Sequence, residues 1–127
     1  AELLRVLNLH ECEWVLLAGY RRLLSPEFIR NFMDERLLHS RIVNIHPSLL
    51  PEFPGAHAYE DAFAARVKTS GVTLHFVDEG MDTGPIWKQH PFQKMPDDSL
   101  ESFILRGKKI EWILYPQFLE WLDSIHE

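Results

Sequence analysis

The sequence predicts an α/β domain built on a mostly parallel open sheet with flanking helices. Three observations carry that prediction. Residues 14–18, WVLLA, are an uninterrupted apolar run, as in a strand covered on both faces. Further strands are expected at 41–46 and 72–77, and the segments around them repeat apolar residues at helical spacing. Strands that alternate with helices favour parallel crossovers, and antiparallel character is expected between the last two strands, which only a turn separates.

The elements follow in order. Leu3, Leu4, Leu7 and Leu9 give residues 2–9 an imperfect helical stripe, and Gly19 ends the first strand. Ser25 followed by Pro26 supplies an N-cap and a proline at the first helical position, opening a helix through about residue 33. The strand at 41–46 stops at Pro47, and Pro47, Pro51 and Pro54 make 47–56 a loop. Tyr59, Ala62, Phe63 and Val67 mark the next helix; 72–77 is the third strand, DEGMDTG at 78–84 a turn and 86–92 the fourth strand. Asp98, with Glu101 three residues on, predicts a capping box for a closing helix whose apolar face includes Phe103, Leu114 and Phe118. Pro116 is expected to kink or divide that helix.

Composition narrows the function. At 127 residues the chain suits one domain, 1–127, with a core of its own. A net charge of -6 argues against a nucleic-acid surface, which needs clustered Lys and Arg, and no apolar run is long enough to cross a membrane. One cysteine, Cys12, cannot form an internal disulfide, so a cytoplasmic setting is expected. If the chain begins at Ala1, residues 14–18 also present an unpaired strand edge, and self-association through it is expected.

Against this background RIVNIHPSLLP at 41–51 stands out, because Asn44 and His46 project from one strand face about 6.6 Å apart while Val43 and Ile45 cover the other. Both lie at the C-terminal end of the strand, the edge where open α/β sheets bind ligands. Such a pair on its own is more often satisfied by loop backbone groups. The third strand offers Thr73 and His75 on one face, and its turn carries Asp82 between Gly80 and Gly84. An Asp within reach of a His favours imidazolium and fixes the ring, and Asn44 could donate to a carbonyl oxygen that gains charge. Glu111 shares a helix face with Ile104 and Phe118, so it stands at the margin of the apolar stripe or faces a polar pocket.

Other chemistries find less support. His46, His75 and Asp82 lack the spacing of a familiar metal motif, and Cys12 precedes a buried strand as an inert thiol would. There is no GxGxxG, no P-loop, no calcium loop and no GxSxG elbow around Ser48.

NIHPSLLPEFPG at 44–55, followed by GVTLHFVDEGMDTGPI at 71–86, resembles the folate-dependent formyltransferase family, and most closely its glycinamide ribonucleotide branch; VLLAGYRRLLSPEF at 15–28 and the closing helix extend the resemblance. The resemblance implies a Rossmann-like formyltransferase fold and formyl transfer from 10-formyltetrahydrofolate, a cosubstrate, to the amine of glycinamide ribonucleotide in purine synthesis, without a metal. It implies Asn44, His46 and Asp82 as the catalytic trio, and Arg22, Leu23, Leu24, Val77 and Glu79 at the folate. Gly55, Thr73 and Glu111 fall on the acceptor side. The family's glycine-rich phosphate loop precedes the region that corresponds to Ala1, so the fold is expected to be N-terminally incomplete. A deformylase, a methionyl-tRNA formyltransferase and a non-catalytic folate-binding module remain alternatives.

Overall fold

The computed structural model describes residues 13–17, 24–80 and 82–125. The expected helix at 2–9 and the end of the first strand at Gly19 lie outside these residues. Among the described residues a four-stranded sheet in the order β1-β4-β5-β6 forms the centre: β1 (Val15–Leu17), β4 (Ile42–His46), β5 (Thr69–Phe76) and β6 (Ile86–Gln93). β1 and β4 run parallel, with Leu17 opposite Asn44, whereas β4–β5 and β5–β6 are antiparallel.

Antiparallel pairing therefore reaches one strand further than the sequence suggests. The connection after β4 contains α2 (Ala58–Ala64), a helix of seven residues. It spans about 10 Å, less than the length of a strand of about 17 Å, and the rest of the connection is bends and turns at 47–57 and 65–66. The chain turns and enters β5 from the end where it left β4.

α1 (Pro26–Asn31) begins as expected, with the Ser25 hydroxyl accepting the Phe28 N–H at 3.1 Å and Pro26 in the first turn. It stops earlier than expected, because Met33–Asp34 (β2) pairs antiparallel with His39–Ser40 (β3). Asp34 closes that hairpin by accepting the Arg36 and Leu37 N–H groups at 2.9 and 3.2 Å.

α3 (Leu100–Ile125) is one helix of 26 residues with Pro116 inside it, so the proline does not divide it. Pro116 frees the carbonyl of Trp112, which stands on the exposed side of the helix, where water can satisfy it. The capping box is also one residue further on than the sequence suggests. Ser99 accepts the Ser102 N–H at 3.2 Å, and Ser102 accepts the Ser99 N–H at 2.9 Å. Asp98 instead accepts the Met95 N–H at 2.8 Å and the Ser102 hydroxyl at 2.8 Å, and pairs with Arg106. Arg106 holds the Asp98 carboxyl well below the usual range.

Helices cover both sheet faces. Val43, Ile45, Val72, Leu74 and Phe76 pack against Phe103, Leu114 and Phe118 of α3 and Tyr59 and Ala62 of α2. On the opposite face Ile42 packs with Phe28, Ile29 and Phe32. The Tyr115 hydroxyl donates to the Leu17 carbonyl, tying α3 to the C-terminal end of β1. Among the described residues no helix is long and apolar enough to cross a membrane.

The shifted cap makes a direct test. Ser99→Ala is expected to destabilise the protein by about 1 kcal/mol in urea unfolding, and Glu101→Ala by less than about 0.5 kcal/mol.

Candidate active site

Pairing sets the polar cluster. Asn44 lies opposite His75 and His46 opposite Thr73 across β4 and β5, so four polar residues share one face. Asn44 is half-buried, and its Oδ1 accepts the Ile45 N–H at 3.0 Å, which makes the amide nitrogen the end that can donate elsewhere. His46 is buried. Its Nε2 lies 2.7 Å from the Phe53 carbonyl and its Nδ1 3.4 Å from Asp82 Oδ2. A carbonyl only accepts, so Nε2 carries the hydrogen and donates to Phe53, leaving Nδ1 as the nitrogen that meets Asp82. A ring that also carries hydrogen on Nδ1 satisfies both contacts, the arrangement of an imidazolium held by a carboxylate.

Asp82 reaches this position from the 77–85 turn with φ 56, a left-handed conformation that Asp tolerates. Its Oδ2 also accepts the Gly55 N–H at 2.8 Å, and its Oδ1 is 3.8 Å from His75 Nε2. The turn is braced by Asp78, which accepts the Gly80 N–H at 2.9 Å and the Thr83 hydroxyl at 2.6 Å. Gly84 lets it fold back on β5, since a Cβ there would collide with the Phe76 carbonyl.

His75 is buried, and among the described residues its Nε2 has no hydrogen-bond partner. Burial pushes its pKa below the ordinary 6.5, opposed in part by the Phe76 carbonyl and by Asp82. His75 is therefore a buried ring that resists protonation, with its Nε2 3.8 Å from the Asp82 carboxylate.

Asn44, His46, Gly55, His75, Asp82 and Glu111 line one cavity of about 150 Å³. Leu24 and Val77 give it an apolar wall. Glu111 accepts the Tyr59 hydroxyl at 2.5 Å and lies 3.6 Å from Lys108 Nζ, so it faces a polar pocket. Two expected residues stand apart from this cavity. Glu79 is exposed, 3.9 Å from Arg30, and lines a separate cavity of about 410 Å³ under the β2–β3 hairpin. Thr73 is fully buried; its hydroxyl donates to the Ser48 carbonyl at 2.7 Å and accepts from the Leu50 N–H and Gln89 Nε2 at 3.1 and 3.0 Å. Thr73 thus pins the 47–51 loop. Arg22 and Leu23 lie outside the described residues. Among the described residues no group of three or more His, Cys, Asp and Glu side chains is arranged to hold a metal ion.

Sequence reasoning missed the Phe53 carbonyl, because a backbone acceptor leaves no residue signature. It also read Tyr59 only as part of an apolar helix stripe, although the hydroxyl distinguishes Tyr from Phe there.

The lowered pKa of His75 sets a pH dependence. Its unfolded form binds a proton that the folded form resists, so stability is lost as pH falls below about 6.5, by at most about 1.4 kcal/mol per pH unit for one proton. His75→Gln is expected to flatten that acid-side slope in urea unfolding measured across pH.

The formyl transferase family profile matches residues 1–119. Phosphoribosylglycinamide formyltransferase of Bacillus subtilis (strain 168) is 43% identical over 120 residues, which are 94% of this chain and 58% of that protein. The Mycobacterium tuberculosis (strain CDC 1551 / Oshkosh) protein of the same name is 43% identical over 102 residues, 80% of this chain and 45% of its own. This chain therefore spans about half the length of these curated relatives. The crystal structure of phosphoribosylglycinamide formyltransferase from Bacillus halodurans superposes with a TM-score of 0.90 at 45% identity, covering 99% of this chain and 62% of that one. By family match, sequence identity and fold together, the chain belongs to the formyl transferase family.

Proposed function

We propose that this chain carries the reacting centre of a glycinamide ribonucleotide formyltransferase, that residues 1–127 act as one catalytic unit, and that it works in the cytoplasm. The reaction would move the formyl group of 10-formyltetrahydrofolate to the amine of glycinamide ribonucleotide. The observation that carries this reading is the convergence of Asn44, His46 and Asp82 on one cavity. The names of the relatives that match most of this chain support the choice of acceptor.

The chemistry follows from what the three groups can do. The amine attacks the formyl carbon, the carbonyl oxygen gains charge, and collapse of the tetrahedral intermediate breaks the bond to N10 of the folate. The Asn44 amide and the His46 Nδ1–H are donors for that oxyanion, and losing one such donor raises a barrier by about 3–4 kcal/mol in favourable cases. At 3.4 Å the Nδ1 to Asp82 contact is long enough for the same hydrogen to be shared with a substrate oxygen. Asp82 orients the ring and, through water, accepts the proton that leaves the attacking amine and returns it to N10.

The same reading distributes the substrates. Leu24 and Val77, with Arg22 and Leu23, would wall the pterin, Glu79 would stand at the outer rim of the folate site, and Gly55 and Glu111 would contact the ribonucleotide. Thr73 would serve the acceptor side through the loop it pins. A cavity of about 150 Å³ holds a reacting centre and not two whole substrates, since sites for drug-sized ligands run to about 300–1,000 Å³, so both would extend over its rims.

The test is formyl transfer from 10-formyltetrahydrofolate to glycinamide ribonucleotide, to water and to tRNA, measured side by side. Transfer to the ribonucleotide is expected; formate release without an amine acceptor would contradict the reading. Asp82→Asn is expected to lower the transfer rate by about 10²- to 10⁴-fold while folate binding stays largely intact, and a near-native rate would remove Asp82 from the mechanism.

A further inference from the structure

Glu111 does not stand alone at its side of the cavity. Tyr59 of α2 is buried and donates its hydroxyl to Glu111 Oε2 at 2.5 Å. Lys108 Nζ lies 3.6 Å from the same oxygen and 5.9 Å from the centroid of the Tyr59 ring. All three residues line the cavity. The approach of the ring depends on Gly107, where a Cβ would collide with the Tyr59 hydroxyl and ring carbons. Glycine inside a helix is about 1 kcal/mol less favourable than alanine, and at this position it leaves the space that the Tyr59 ring fills. Burial, reinforced by Glu111, pushes the hydroxyl far above its ordinary pKa, so it remains a donor.

We propose that Tyr59 is a positioning residue for acceptor recognition: with Lys108 it fixes Glu111 Oε2 and leaves Oε1 as the oxygen that accepts from a hydroxyl of a sugar-bearing acceptor. This rests on the reading of Glu111 as an acceptor-side group. A carboxylate held at one oxygen cannot rotate freely, so it presents the other with less ordering left to lose on binding. The folate side of the cavity has no contact with this cluster in the proposal, so the two substrates should respond differently to its loss.

Steady-state kinetics with each substrate varied in turn separates the possibilities. Tyr59→Phe, which keeps the packing and removes the hydroxyl, is expected to raise KM for glycinamide ribonucleotide roughly tenfold. Its kcat and its KM for the folate should stay within about twofold. Glu111→Gln should also raise the acceptor KM, and the double variant should be no worse than Glu111→Gln alone, because both act through one carboxylate. Gly107→Ala should reproduce the Tyr59→Phe effect; should it fail to fold, Tyr59→Phe decides the matter by itself. An unchanged acceptor KM in Tyr59→Phe alongside a raised one in Glu111→Gln overturns the role of Tyr59 and leaves that of Glu111. Unchanged values in both overturn the acceptor-side reading and the proposal with it. A fall in kcat or an equal rise in folate KM in Tyr59→Phe marks general distortion and overturns the proposal as well.

Discussion

The contacts of Asp82 are the constraint on which the rest of the site depends. One carboxylate accepts the Gly55 N–H, meets His46 Nδ1 and stands 3.8 Å from His75 Nε2. It thereby joins the 77–85 turn, the loop after β4 and two neighbouring strands. Burying two histidines beside one another would be unfavourable without a shared acceptor, since desolvation and mutual repulsion both oppose charge on them. Asp82 meets the two rings unevenly: it lies 3.4 Å from His46 Nδ1, whose other nitrogen meets the Phe53 carbonyl, whereas burial lowers the pKa of His75.

The fold makes those contacts possible through a second set of polar anchors away from the cavity. Thr73 and Gln89 hold the Ser48 and Leu50 backbone, and the Ser48 hydroxyl donates to the Glu52 carbonyl. The loop they secure delivers two backbone groups, the Phe53 carbonyl to His46 and the Gly55 N–H to Asp82. On the other side, the Asp78 bracing and the absence of a side chain at Gly84 aim the turn that carries Asp82. The sheet sets the direction of the side chains, and the two loops set the contacts of Asp82.

Much of this was legible in the chain. Period-two alternation around Asn44 and His46 indicated a polar face, and the Ser25-Pro26 pair located the start of α1. The direction of β5 was not legible, because a connection of loop and helix as long as 47–68 fits either direction, and the hairpin at 33–40 was hidden by its two-residue strands. Asp98 and Glu101 matched a capping pattern that Ser99 and Ser102 fulfil instead, since two adjacent candidates satisfy the same spacing rule. For the site, side-chain chemistry was readable and backbone chemistry was not. Thr73 illustrates the difference: its position on the polar face was visible, but its engagement by Ser48, Leu50 and Gln89 depends on a loop whose path no local pattern gives.

The central claim is that the Phe53 carbonyl fixes the hydrogen on His46 Nε2 and so leaves Nδ1 to face Asp82. Nitrogen-15 NMR of the histidine side chains, with His46 assigned by its loss in His46→Asn, tests this most directly. The account predicts a His46 ring that carries hydrogen on Nε2 both in the native protein and in Asp82→Asn, with the state of Nδ1 altered by that substitution. A neutral His46 ring with its hydrogen on Nδ1 and a bare Nε2 would contradict it.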